Sequence, residues 1–340
     1  MKNYNAFFET ELKRMNDAQK QAVESTEGPV MVIAGPGTGK TQILAARIGY
    51  ILQNSDLQTF PENILCLTYT EAGAIAMRQR LISFIGTEAN KISILTFHSF
   101  CNQLIQQYSD YFGHDDLRMI TPIEELLLIR EIIDKLEKNN PLKRYTGDVY
   151  YDAKRLLSLF KQMKKEDWSS QFIETKIEDY LKEIVEKPEQ YPQFYYTRKY
   201  KDKNKGDIKD KAFELEQEKM EKLKAASLLS EKYMQLMAQK KLYDFDDMIL
   251  WVLKELKTNE TFKSQLQERF TYILVDEFQD TNESQNEVVS ELCSHWGIDS
   301  NIFVVGDDDQ SIYRFQGANI QNIISFKHIY ESNLKTILLK

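Results

Sequence analysis

The sequence predicts an α/β fold, a parallel sheet flanked by helices, with an all-helical subdomain inserted into it. Two patterns carry that expectation. Five short β-branched runs, 30–34, 64–68, 92–96, 272–276 and 302–306, lie toward the two ends of the 340-residue chain, and their apolar character is that of strands buried on both faces. Between residues 114 and 296 that character disappears and only two of the 13 glycines, Gly147 and Gly206, occur, so helices are expected there.

The first run, Val30-Met31-Val32-Ile33, leads into Ala34-Gly35-Pro36-Gly37-Thr38-Gly39-Lys40-Thr41, after which Leu44, Ile48 and Leu52 mark a helix. Strand, glycine-rich loop and helix N-terminus in that order make a P-loop. Its successive backbone N–H groups turn inward on phosphates, and the helix adds the positive end of its dipole. Lys40 is expected to reach the β- and γ-phosphates of a nucleoside triphosphate, and Thr41 to offer its hydroxyl to Mg²⁺. The motif usually opens with glycine, and here Ala34 stands first. After the second run, Met77, Leu81 and Ile85 repeat the helical spacing, the alternation from which parallel sheets are built.

In the middle of the chain, Thr121-Pro122-Ile123-Glu124 is a capping-box start with proline at the first helical position, and Leu126, Ile129, Ile133 and Leu136 mark one apolar face. Leu157, Phe160 and Met163, then Leu229, Tyr233 and Leu236, repeat the pattern. The insertion is expected over 112–243, dividing the α/β domain into 1–111 and 244–340. The basic stretch from Arg198 to Gly206 reads as a solvated loop better than as a phosphate contact.

The fourth run ends in Asp276-Glu277-Phe278-Gln279-Asp280, which puts two adjacent carboxylates at the C-terminal edge of a strand, where ligands sit in parallel α/β sheets. Asp276 suits Mg²⁺, directly or through water. Glu277 suits the orientation and deprotonation of a water attacking the γ-phosphate, which a hydrolase needs and a kinase does not. The last run, 335–339, reads as one more strand.

Composition narrows the class. An apolar content of 42% with 11% aromatics is that of a soluble globular chain. A net charge of −8 does not suggest a protein that coats nucleic acid by bulk positive charge, although single strands can be held by stacking on aromatic rings. Cys66, Cys101 and Cys293 lack any paired spacing and read as thiols of a reducing compartment. Charges interrupt every early apolar run and no stretch approaches membrane length, so a cytoplasmic protein without membrane association is expected.

The segment Asp276-Glu277-Phe278-Gln279-Asp280-Thr281-Asn282-Glu283-Ser284-Gln285 closely resembles motif II of the superfamily 1 DNA helicases of the UvrD, Rep and PcrA group. Gly306 to Ala318, which contains Asp309-Gln310-Ser311-Ile312-Tyr313-Arg314-Phe315, is similar to their motif III, and Asn16 to Val23 to their Q motif. Thr68-Tyr69-Thr70 with Met77 and Arg80 resembles motif Ia, Thr96-Phe97-His98-Ser99-Phe100 the next DNA-contacting motif, and Tyr243 to Met248 the motif that closes the helical insertion.

The resemblance implies a RecA-like motor domain that uses ATP and Mg²⁺ and acts on single-stranded DNA and single-strand/duplex junctions, moving 3′ to 5′. Gln19 would recognise adenine, since a carboxamide donates and accepts at once, and Gln310 would sense the γ-phosphate. Thr68, Tyr69, Thr70, Thr96, Phe97, His98, Tyr313 and Phe315 would line the single-strand path. Three positions depart from the family pattern: Gln42 stands where arginine is common, Glu71-Ala72 replaces an Asn-Lys pair, and Phe315-Gln316 replaces Trp-Arg. The resemblance covers the first half of such an enzyme. A second RecA-like domain, with motifs IV to VI and the arginine fingers, is not in these 340 residues, so weak turnover and no unwinding are expected of them alone. The motor of a helicase-nuclease, and a nucleotide-gated DNA-binding module, are the alternatives.

Overall fold

A computed structural model describes residues 6–35, 37–113, 116–307 and 320–339. The chain forms two compact units, residues 1–114 with 245–340, and residues 115–244. Eight strands are found among the described residues: β1 (Val30–Ala34), β2 (Ile64–Thr68), β3 (Ser93–Thr96), β4 (Arg118–Met119), β5 (Leu242–Tyr243), β6 (Tyr272–Val275), β7 (Ile302–Gly306) and β8 (Lys335–Leu339). Six of them build the sheet of the first unit in the order β3-β2-β6-β7-β1-β8, with every neighbouring pair parallel.

The apolar runs become strands because both faces of this sheet are covered. Val30, Val32, Ile64, Cys66, Leu274, Phe303 and Val305 share one core with Ile43, Leu44, Ile48 and Ile51 of helix Lys40–Gln53 and with Met77, Leu81 and Phe84 of helix Glu71–Ile85. The intervening residues Met31, Leu65, Leu67, Ile273, Val275 and Val304 are buried as well, so no polar alternation is left to see. Each fully buried Leu or Ile contributes about 1.5–3 kcal/mol. One charged side chain lies in this core. Arg47 donates from Nη1 to the carbonyl of Ala22 at 2.8 Å, and its guanidinium lies 4.2 Å from the centroid of the Phe303 ring, tying helix Asp17–Glu24 and helix Lys40–Gln53 to β7. Burial pushes its pKa down to about 9.

Because the sheet is parallel, the segments that leave β1, β2, β3, β6 and β7 all emerge at one edge. That edge receives Gly35, Tyr69, Phe97, Asp276 and Asp307, the positions from which a site is assembled.

The second unit is helical. Helices Pro122–Asp134, Ala153–Lys165, Ser170–Glu186 and Asp210–Gln239 close over a core that includes Ile129, Ile133, Leu156, Phe160, Leu229 and Tyr233, and the short parallel pair β4 and β5 lies at its two chain ends. The Thr121 capping box is formed: the Glu124 N–H donates to Thr121 Oγ1 at 3.4 Å, and the Thr121 N–H donates to Glu124 Oε2 at 2.9 Å. Helix Ser109–Phe112 belongs to the first unit, where the Phe112 ring lies 5.7 Å from that of Phe262. In the segment from Arg198 to Gly206, Tyr200 and Lys203 exchange backbone hydrogen bonds at 3.0 Å, and residues 198–202 are exposed. No helix among the described residues is long and apolar enough to cross a membrane.

Candidate nucleotide site

The loop after β1 is shaped by its glycines. Gly37 (φ 78°) and Gly39 (φ 85°) adopt left-handed backbone that an L side chain resists, and Gly39 starts helix Lys40–Gln53 from that conformation. Thr38 folds the loop back, its hydroxyl donating to the carbonyl of Gly35 at 2.7 Å. A Cβ on Gly35 or Gly37 would meet nothing within 4 Å, so the space beside these two glycines is open. Pro36 lies outside the described residues.

Opposite the loop stands the acidic turn after β6. Lys40 Nζ lies 2.6 Å from Glu277 Oε2, a contact between residues 237 positions apart in sequence. The lysine side chain is 11% exposed and the glutamate 35%. Glu277 itself has φ 48° and ψ 47°, a left-handed conformation unusual for glutamate, and its N–H donates to Asp276 Oδ1 at 3.0 Å. The Asp276 N–H in turn donates to the carbonyl of Leu67 at 2.9 Å, fixing the turn to the end of β2. Burial, followed by the charge of Glu277, pushes the Asp276 carboxyl up to about 6 against the opposing pull of the Glu277 N–H and of Lys40. A buried carboxylate of this kind accommodates a cation well. Among the described residues no group of three or more His, Cys, Asp or Glu gathers to hold a metal, but Mg²⁺ with a nucleotide commonly takes one or two protein ligands and phosphate oxygens, a donor set that Asp276 and Thr41 fit.

Gln19 is a member of the capping box of helix Asp17–Glu24, where its Oε1 accepts from the Asn16 N–H at 3.1 Å. Its Nε2 donates to the carbonyl of Thr38 at 3.2 Å, so the residue expected to read adenine is already tied to the phosphate loop, with one amide hydrogen and one lone pair remaining. Gln279, to which the sequence motif alone assigns no role, donates from Nε2 to Glu277 Oε2 at 2.8 Å and accepts the Asp307 N–H on Oε1 at 3.0 Å. Gln310, Tyr313 and Phe315 lie outside the described residues.

The positions expected on a DNA path are unevenly exposed. Tyr69 is 51% exposed and Thr70 is exposed at the cap of helix Glu71–Ile85. Thr68 is buried and donates to the carbonyl of Thr70 at 3.1 Å, while Thr96 is buried and caps helix Phe97–Gln107. The expected stacking face on Phe97 is not found: at 3% exposure the ring belongs to an apolar stripe with Phe100, Cys101 and Leu104, the i, i+3, i+4, i+7 spacing of a helix packed on the core. His98 is half-buried, edge-on to Phe245 at 5.5 Å. Glu71 accepts from the hydroxyls of Ser99 at 2.6 Å and Thr96 at 2.9 Å, and these bonds lower its pKa.

Comparison with known proteins gives the family of the chain. The UvrD/REP helicase N-terminal domain matches over residues 15–331. The chain is 29% identical over 330 residues to the ATP-dependent DNA helicase PcrA of Staphylococcus epidermidis strain ATCC 35984, and 30% identical over 331 residues to that of Staphylococcus aureus strain Mu50. In both cases the match covers 97% of this chain and 38% of the relative's length. With the P-loop and the acidic turn meeting at one sheet edge and the match spanning nearly all 340 residues, the chain belongs to the UvrD/REP helicase family, in which it corresponds to the N-terminal domain.

Proposed function

We propose that this chain is the ATP-binding part of an ATP-dependent DNA helicase motor acting on single-stranded DNA, with Lys40, Glu277 and Gln310 in the catalytic roles. The observation that carries the reading is the 2.6 Å contact between Lys40 and Glu277, which joins the phosphate loop to the carboxylate of a hydrolase. Residues 34–41 cradle the phosphates through the backbone N–H groups that all of them but Pro36 carry, and Gln19 selects adenine from its place against Thr38. Lys40 exchanges Glu277 for the β- and γ-phosphates, which releases the carboxylate to take a proton from water. Bound Mg²⁺, held by Thr41 and Asp276, would neutralise developing phosphate charge.

On the DNA side, Tyr69 and Thr70 are the best placed of the described candidates, since both are exposed at the sheet edge; one free aromatic face is worth about 1–3 kcal/mol per stacked base. Movement 3′ to 5′ and unwinding at junctions belong to a whole protein longer than this chain, which spans 38% of its relatives. Arginine fingers are worth about 10³- to 10⁵-fold in rate, so the 340 residues alone are expected to bind Mg-ATP with slow turnover.

Nucleotide titration tests this directly. Lys40→Ala should abolish ATP binding, while Glu277→Gln should keep binding and lose hydrolysis by two orders of magnitude or so. Unchanged affinity in the first variant, or unchanged turnover in the second, overturns the reading. A fast DNA-stimulated ATPase on the wild-type chain would contradict slow turnover.

A further inference from the structure

Among the described residues the Glu277 carboxylate receives two hydrogen bonds, and both fall on the same oxygen. Lys40 Nζ reaches Oε2 at 2.6 Å and Gln279 Nε2 reaches it at 2.8 Å, and among the described residues no donor reaches Oε1. The two donors differ in what holds them. Lys40 sits at the phosphate loop, where a triphosphate would draw it away. Gln279 is 1% exposed and fastened on its other side, with Oε1 accepting the Asp307 N–H at 3.0 Å. The amide cannot turn over without losing both bonds, because the Asp307 N–H only donates and an ionised carboxylate only accepts. Gly306 adds a steric clamp: a Cβ there would lie 2.9 Å from Gln279 Oε1 and 3.4 Å from its backbone nitrogen, so the end of β7 is pressed against this side chain.

From this geometry we propose that Gln279 is the positioning residue for the Glu277 carboxylate: it fixes Oε2 to the end of β7, so that Oε1 stays aimed at water once Lys40 has moved to the phosphates. The proposal rests on the reading of Glu277 as the group that activates water. Gln279 acts through Glu277, to which its amide donates. Were its purpose only to join the two loops, its bond to the Asp307 N–H and its bulk against Gly306 would suffice, and the amide hydrogens would be dispensable.

Two variants separate these roles. Gln279→Ala removes both bonds. Gln279→Glu keeps the volume and an acceptor for the Asp307 N–H but loses the donor to Glu277. In the 340-residue chain, single-turnover hydrolysis of radiolabelled Mg-ATP should fall about 10- to 100-fold in both, as for residues that orient a reacting group from behind, while ATP affinity stays within about twofold of wild type. Wild-type turnover in Gln279→Glu overturns the proposal, because loop joining would then be enough. A loss of affinity matching the loss of rate in both variants overturns it too, since the effect would be on the loop as a whole. If Gln279→Ala does not fold, the Gln279→Glu rate decides alone. Glu277→Gln is the control: if it hydrolyses ATP like the wild type, the reading of Glu277 fails and takes this proposal with it, whereas a dead Glu277→Gln beside fully active Gln279 variants rejects the positioning role only.

Discussion

Asp276 is a buried carboxyl whose ionisation should respond to a charge bound beside it. Its carboxyl stands at about 6 against an ordinary 3.8, because burial and the adjacent Glu277 both oppose its charge. A pKa raised by folding contributes stability at pH values below the unfolded value, and that contribution is lost as the pH rises through about 6. A cation in the site reverses the balance by stabilising the charged form. Protons and Mg²⁺ should therefore compete, and the Mg²⁺-dependent part of ATP affinity should weaken about tenfold for each unit of pH below about 6, with a plateau above about 7. Asp276→Asn should abolish both that slope and the Mg²⁺ dependence. Titration of a fluorescent ATP analogue across this pH range, with and without Mg²⁺, reads the effect, and a slope that survives in Asp276→Asn assigns it to another group.

At the scale of elements, the turn after β6 and the end of β7 are fitted together through Gly306. Gly306→Ala forces a methyl group against the buried Gln279 amide at 2.9 Å, so overpacking should destabilise the fold by about 1–3 kcal/mol, seen as a lower midpoint in thermal or urea unfolding. Combining it with Gln279→Ala should recover part of the loss, since the nearest obstructing atom is then gone; strict additivity would mean that the two do not meet. Such close fits explain what the sequence could and could not reveal. Strands buried on both faces must be apolar throughout, and a P-loop must be glycine-rich, so β1, β2, β6, β7 and the loop before Lys40 were legible from residue type alone. Phe97 was not, because a ring at a helix start has the same identity whether it faces solvent or lies in the stripe with Phe100 and Leu104. Arg47 escaped for the opposite reason: a charge is expected outside, and only the Ala22 carbonyl and the Phe303 ring make it tolerable inside. The role of Gln279 depends on Asp307, 28 positions further on, which no local pattern connects to it.

At the scale of the molecule, two units with separate cores should answer separately to damage. Within residues 115–244, Lys164 Nζ lies 2.8 Å from Asp244 Oδ2, with side chains only 5% and 10% exposed, and the ring centroid of Tyr233 stands 5.8 Å from the same ammonium. Removing one partner of a buried pair costs more than the pair contributes, because the remaining charge keeps its desolvation penalty. Asp244→Ala should therefore destabilise this unit by about 3–5 kcal/mol. Replacing both partners, Lys164→Met with Asp244→Leu, should cost less, since neither charge of the pair then stays buried without the other. The candidate nucleotide site lies in the other unit, so ATP affinity in Asp244→Ala should stay within about twofold of wild type under conditions where that unit remains folded. Calorimetry together with nucleotide titration decides this. An Asp244→Ala chain that loses ATP affinity in step with its stability would mean that the two cores unfold as one cooperative body.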